Sequence, residues 1–365
     1  MVQAYSATGI FTGEGFVDGL AVIVEDQLVK EVVPQHQVGE GIPVKHFKDC
    51  ILYPAFVDVQ VYGAEGRLLS VDPTEETLSV MANSFASAGT ALFQPTVATN
   101  TTDVIKSCID AVRAFKQSGG KGVHGLHIEG PWIHPARKGA HKEEWIRVPS
   151  IEEVKALLDY GSENITMITL APEVCSVEII EYIQSAGIVV SAGHTDADFE
   201  TAMRSFDSGI DAVTHLFNAM SSMHHRAPGL PAAAFLHSTV KASIIPDGHH
   251  VDYNMLIIAK MKMGARLFAI TDAVTSTATG PYQHVLNVDR YECNGTLSGS
   301  ALSMNQAFNN LVKQAGIEKG EAHRMCSLYP AQLLGADKQY GRIAPGYSGS
   351  LLVFNQQSEF ITALT

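Results

Sequence analysis

Eight short, nearly continuous apolar runs alternate with longer amphipathic segments along most of this chain, and that alternation restricts the folds open to it. The runs are 51–60, 91–98, 122–130, 165–173, 188–195, 212–219, 241–248 and 266–274. Runs of this length suit strands buried on both faces, because a strand with one wet face alternates polar and apolar residues. Helical stretches fit between most of them; 102–117, for example, follows Thr/Asn capping candidates and stops at Gly119-Gly120. Eight β/α units point to an α/β fold, a closed (β/α)8 barrel of the TIM type, more than to an open sheet.

The two ends of the chain carry a different signal. Short β-type runs at 20–24 and 28–33 are separated by Gly and charged turns, and a further run at 351–354 follows the Gly-rich stretch 341–350. Both termini are therefore expected to pair into one small β-sandwich domain, residues 1–50 and 337–365, with the barrel occupying 51–336.

Composition supports a large core, with 46% of residues hydrophobic and 17% charged. The 38 acidic residues outnumber 25 basic ones, and no Lys/Arg run is present to neutralise a row of phosphates, so nucleic acid is a poor candidate partner and none is expected. A phosphorylated substrate would have to be held by locally placed cations and backbone N–H groups. The five cysteines form no CxxC pair, which argues against a disulfide framework or a thiolate zinc site and for a reducing cytoplasm. No basic region precedes an apolar stretch near the start, and no run approaches the roughly 20 apolar residues of a membrane helix. The expectation is a soluble, unprocessed chain that uses no membrane.

Nearly every apolar run ends in a group capable of chemistry: Gln60, Gln94, Glu129, Glu173, His194, His215, Asp247 and Asp272. A (β/α)8 enzyme builds its site at the C-terminal ends of its strands, so these residues are expected to converge on one mouth. His127 and Glu129 stand two apart, and on a strand both side chains share a face. A buried Glu is costly unless it meets a cation, which makes Glu129 a metal-ligand candidate, with a salt bridge as the alternative. His127 on its own equally fits a hydrogen-bonded core residue. His194 and His215 each follow an apolar strand, one β/α unit apart, where adjacent strands bring them to one ion. One carboxylate and two imidazoles form the kind of set used by catalytic zinc and related divalent metals. Asp272, ending the last run, suits a proton acceptor that later protonates a departing amine; the alternative is a cap on the following segment.

Five motifs then occur in order: His-Ile-Glu-Gly-Pro-Trp at 127–132, Gly-His-Thr-Asp at 193–196, Thr-His-Leu-Phe-Asn-Ala-Met at 214–220, Pro-Asp-Gly-His-His-Val-Asp at 246–252 and Ile-Thr-Asp-Ala at 270–273. Together they resemble the amidohydrolase superfamily, in its N-acetylglucosamine-6-phosphate deacetylase branch, over almost the whole chain. The resemblance implies a metal-dependent hydrolase that converts N-acetylglucosamine 6-phosphate to glucosamine 6-phosphate and acetate. It implies one divalent ion, zinc by preference with iron, cobalt or manganese also compatible, held by Glu129, His194 and His215. Asp272 would act as general base and then general acid, and His141 would polarise the acetamide and contact the sugar. Ala140, Asn218, Ala219, Arg226, Asp247, His250, Leu297, Ser298 and Gly299 correspond to substrate-binding positions. The resemblance further implies a homodimer in which Arg226 and His250 reach the phosphate in the neighbouring site. Read from the residues alone, His141 and His250 also fit surface histidines, Arg226 a loop cation, and 297–299 a turn.

Two other readings stay open. One is the same chemistry on N-acetylgalactosamine 6-phosphate, which differs only around one sugar hydroxyl. The other is a catalytically silent barrel kept as a binding protein. The chain also departs from the superfamily pattern. It reads Asp58-Val-Gln60-Val-Tyr62 where many amidohydrolases carry His-x-His, and 169–173 lacks the lysine that some relatives modify to bridge two ions. A single metal is therefore expected, with Tyr62 altering the shape of its site. Gly349-Ser-Leu stands where Ala-Asp-Leu is usual, a change expected to affect only the small domain.

Overall fold

Pro54 cuts the first apolar run in two. In the computed structural model, which describes residues 2–364, Val44–Pro54 is a strand of the terminal sheet and Phe56–Val61 is the first barrel strand. The two N–H groups that follow the cut go to different partners: Ala55 donates to Ser350 O at 3.2 Å and Phe56 to Gly89 O at 2.9 Å.

The barrel strands are β1 (Phe56–Val61), β2 (Thr90–Ala98), β3 (Leu126–Glu129), β4 (Ile165–Leu170), β5 (Val189–Ala192), β6 (Ala212–Val213), β7 (Lys241–Ile244) and β8 (Leu267–Ala269). They lie side by side in chain order in one eight-stranded sheet, and every neighbouring pair from β2 to β8 is parallel. Closure comes just past β8, where Asp272 N donates to Gln60 O at 3.1 Å and Tyr62 N to Ala273 O at 2.9 Å. The eight runs read from the sequence thus each overlap one strand of a (β/α)8 barrel. The helix Thr102–Gln117 illustrates the layer between them: the Thr101 side chain caps it by accepting from Val104 N, and it buries Ile105, Cys108, Ile109, Val112 and Phe115. That spacing is one face of a 3.6-residue helix.

By contacts, the chain divides into two compact units, one made of residues up to 58, 85–92 and from 303 on, the other of 59–84 and 93–302. The first unit holds a seven-stranded sheet built from both ends of the chain. Its order is Phe360–Leu364, Leu351–Asn355, Val44–Pro54, Val2–Phe11, Leu20–Glu25 and Leu28–Pro34, with Phe16–Val17 paired to Val2–Phe11. Residues 303–336, expected with the barrel, group with the termini instead. The reason is an aromatic cluster: Phe308 and His323, on the helices Met304–Lys313 and Lys319–Cys326, pack on Tyr53, Phe56 and Phe354. No helix among the described residues is long and apolar enough to cross a membrane.

His323 in this cluster gives the first unit a pH dependence. Its Nε2 donates to Pro54 O at 2.8 Å, and burial pushes its pKa from 6.5 down to about 3. Between these values the unfolded chain binds a proton that the folded chain refuses, so stability rises with pH across the window and is lost on acidification below about 6.5. The expected contribution is a slope of up to about 1.4 kcal/mol per pH unit. Urea unfolding between pH 4 and 7 checks it, with His323→Gln expected to flatten the slope; an equal slope in that variant refutes the assignment.

Candidate active site

The polar residues after the barrel strands meet because a closed parallel barrel puts all its C-terminal strand ends on one face. Glu129 ends β3 and is 1% exposed. Three imidazoles surround its carboxylate: His215 Nε2 and His194 Nε2 lie 3.1 and 3.3 Å from Oε1, and His141 Nε2 lies 3.2 Å from Oε2. The His194 and His215 Nε2 atoms are themselves 3.1 Å apart. From β1 and the residue just beyond it, Gln60 Nε2 donates to Oε1 at 3.0 Å and the Tyr62 hydroxyl donates to Oε2 at 2.5 Å. His194, His215 and Asp272 have φ of 50°, 35° and 54°, a left-handed backbone that costs a side-chain-bearing residue about 1–2 kcal/mol. The strain falls on the three residues whose side chains have to turn into the barrel mouth.

Hydrogen bonds behind the cluster fix its donors. His194 Nδ1 lies 2.9 Å from Arg137 O; a carbonyl only accepts, so Nδ1 carries a proton and Nε2 is the ring nitrogen that faces Glu129. His141 Nδ1 pairs with Thr99 Oγ1 at 2.7 Å. Gly130 lets the chain pass this hydroxyl: its φ is +78°, and a Cβ there would stand 2.2 Å from Thr99 Oγ1. Burial, reinforced by the His194 charge, lowers His141 to about 4, so it is neutral at pH 7. Burial alone would raise the Glu129 carboxyl, but hydrogen bonds from His141, His194 and His215 outweigh it and hold the group well below its ordinary value. Asp272 is raised by burial, against the pull of the His215 charge. Tyr62 is pushed well above the ordinary phenol range by burial and by the Asp272 and Glu129 charges. These groups open on a pocket of about 270 Å³, which is also lined by Ala140, Asn218, Ala219, His250 and 297–299.

Residues 51–364 match the amidohydrolase family. The chain belongs to that family. As an amidohydrolase it is a hydrolase of C–N amide bonds, and its relatives narrow the chemistry. It is 31% identical to the N-acetylglucosamine-6-phosphate deacetylase of Haemophilus influenzae over 362 residues, 96% of this chain and 95% of that one. It is 28% identical to the N-acetylgalactosamine-6-phosphate deacetylase of Escherichia coli O157:H7 over 368 residues, 97% and 96% of the two chains. Among solved structures it is similar to N-acetylglucosamine-6-phosphate deacetylase from Pasteurella multocida, with a TM-score of 0.95, 30% identity, and coverage of 100% of this chain and 98% of that one.

In this amidohydrolase the expected site residues do not all fall in one place. Glu129, His141, His194, His215 and Asp272 line the pocket together with Ala140, Asn218, Ala219, His250, Leu297, Ser298 and Gly299. Asp247 stands behind them: its Oδ2 holds His250 Nδ1 at 2.6 Å, and its Oδ1 accepts from His249 N and His250 N, both at 2.8 Å. Gripped in this way, His250 lines the pocket of its own chain. Arg226 is exposed, in the turn closed between His224 and Ala227, and does not line this pocket. His127 is a core residue, fully buried with Nε2 2.7 Å from Thr169 Oγ1. Gln94 donates to Thr166 Oγ1, and Glu173 accepts from Thr195 Oγ1 and Asp196 N, so both brace neighbours outside the pocket. Sequence reasoning missed Tyr282 and His284, which also line the pocket. They follow a loop with no periodic signal, whereas Gln60 and Tyr62 share the two-residue spacing that flagged His127 and Glu129.

The amidohydrolase's donor set fits a divalent cation. Among the described residues, Glu129, His141 and His194 offer ligand atoms within 4.8 Å of one another, and His215 joins them through its contact with Glu129. His194 Nε2 and Glu129 Oε1 stand 3.3 Å apart, a nitrogen and a carboxylate oxygen of the kind that a cation takes as ligands. His215 Nδ1 and Asp272 Oδ1 are buried without a hydrogen-bond partner, and a positive centre nearby would offset the cost of that carboxylate oxygen.

Proposed function

We propose that this amidohydrolase hydrolyses the acetamide of N-acetylglucosamine 6-phosphate to glucosamine 6-phosphate and acetate. The observation that carries the reading is the convergence of Glu129, three histidines and Asp272 in one pocket, in a chain whose relatives bear the name of that activity. Glu129, His194 and His215 would hold one ion, and His141 contacts the same carboxylate. Zinc is the proposed metal, and iron, cobalt and manganese suit the same donors. When bound, the ion acidifies water and polarises the acetamide carbonyl.

The chain's own groups do the rest. Asp272 accepts the proton of the attacking water as the new C–O bond forms and returns it to nitrogen as the C–N bond breaks. His141, neutral at pH 7, offers an N–H to the carbonyl oxygen as negative charge builds there. Asn218, Ala219, His250 and 297–299 contact the sugar. At a net charge of −13 the chain does not attract a phosphate at long range, so a local cation has to bind it. Arg226 is proposed for that role from a neighbouring copy in a homodimer, where its exposed guanidinium can meet the anion with two hydrogen bonds. Five free cysteines accord with a cytoplasmic setting.

Acetate release from three sugars tests the reading. The expected order of kcat/KM is N-acetylglucosamine 6-phosphate first, N-acetylgalactosamine 6-phosphate at least roughly tenfold lower, and unphosphorylated N-acetylglucosamine lowest. The galactosamine epimer is the second reading because the Escherichia coli relative above is named for it; a reversed order of the two phosphates would establish it. No release from any of the three removes both.

A further inference from the structure

The Glu129 carboxylate has a partner that the proposed reaction does not use. The torsion that orients a Glu carboxylate is soft and roughly two-fold, so neighbours decide which oxygen faces where. Tyr62 is one such neighbour, and the direction of its hydrogen bonds is fixed. Gln60 Nε2 lies 2.8 Å from the Tyr62 hydroxyl and 3.0 Å from Glu129 Oε1. Facing two oxygens, this end of the amide is the NH2 and donates to both. The Tyr62 oxygen therefore accepts from Gln60, and its single proton goes to Glu129 Oε2, 2.5 Å away. Oε2 is then engaged by Tyr62 and His141, while Oε1 is the oxygen shared by His194 and His215.

We propose that Tyr62 is a positioning residue whose hydroxyl pins Glu129 Oε2, turns Oε1 towards the His194–His215 pair, and so sets how tightly this chain holds its metal. The inference rests on the metal-centre reading above. Tyr62 also lines the pocket, and the Tyr62→Phe variant keeps that wall while removing only the hydroxyl. Hydrogen bonds that orient metal ligands are worth about 10–100-fold in metal affinity.

The test loads metal-stripped parent and Tyr62→Phe chains with cobalt(II), titrates each against a competing chelator, and records the visible cobalt absorption and the thermal midpoint of the metal-free forms. The expected result is cobalt affinity about 10–100-fold weaker in the variant, a changed absorption spectrum, and metal-free midpoints that agree. Parental affinity with a parental spectrum overturns the role of Tyr62 alone. A parent chain that binds no cobalt overturns the metal-centre reading and this proposal together. Should Tyr62→Phe fail to fold, Gln60→Leu keeps the hydroxyl but removes the amide that directs its proton. A smaller loss of affinity is expected there, and an unchanged value counts against the proposal.

Discussion

Asp272→Asn is expected to lower kcat for acetamide hydrolysis by about 10³-fold, within the range that a positioned general base supplies. The substitution is nearly isosteric, and the position is buried and reached by its neighbours mainly through the backbone: Asp272 N donates to Gln60 O, and Ser300 N donates to Asp272 O at 2.9 Å. Those bonds survive the change, so barrel closure is kept. On the proposed mechanism the side chain would lose the ability to take a proton from water and hand it to the departing amine, because an amide oxygen is a far weaker base than a carboxylate. Steady-state kinetics with metal content and thermal midpoint measured on the same sample separate this from a folding defect. A variant with normal metal and a kcat within tenfold of the parent would take Asp272 out of the chemistry.

Glu129→Gln is expected to be more damaging still. The carboxylate sits among three imidazoles, and each of them contacts it. Removing its charge should weaken metal binding by more than the roughly 10–100-fold attached to a supporting hydrogen bond. On the proposed mechanism, loss of the ion would take away both water activation and carbonyl polarisation, so kcat/KM should drop by at least roughly 10⁴-fold, the upper end of what one general base contributes. Metal analysis after dialysis is the direct readout, with circular dichroism to confirm the barrel. A Glu129→Gln chain that keeps its ion at parental affinity would mean that the metal, if any, sits elsewhere.

How much of this was legible depended on what kind of force fixes each residue. The barrel strands were readable because burial on both faces leaves an apolar run that little else produces, and Glu129, His194, His215 and Asp272 stood out as polar groups closing such runs. The same rule picked up Gln94 and Glu173, which serve only as hydrogen-bond partners for Thr166 and for Thr195 with Asp196. A polar strand end announces a partner without saying whether that partner is a neighbouring side chain or a substrate. His141 was found through its motif alone, since it lies in a loop whose conformation depends on distant contacts such as Thr99. The division at Pro54 was hidden because hydrophobicity is continuous there while the hydrogen-bond partner changes. The grouping of the helices of 303–336 with the termini was hidden for a related reason: an amphipathic face shows that a helix packs, and carries no label for the surface it packs on.

The closing hydrogen bonds between the Gln60–Tyr62 and Asp272–Ala273 segments bear on the order in which the molecule can be made. A ribosome releases β1 long before β8, so the emerging polypeptide carries an unpaired strand edge through most of synthesis. Only the last barrel strand seals that edge, and the same event brings Asp272 to the pocket. Delivery of that carboxylate and protection from sticking to other nascent chains therefore arrive in one step.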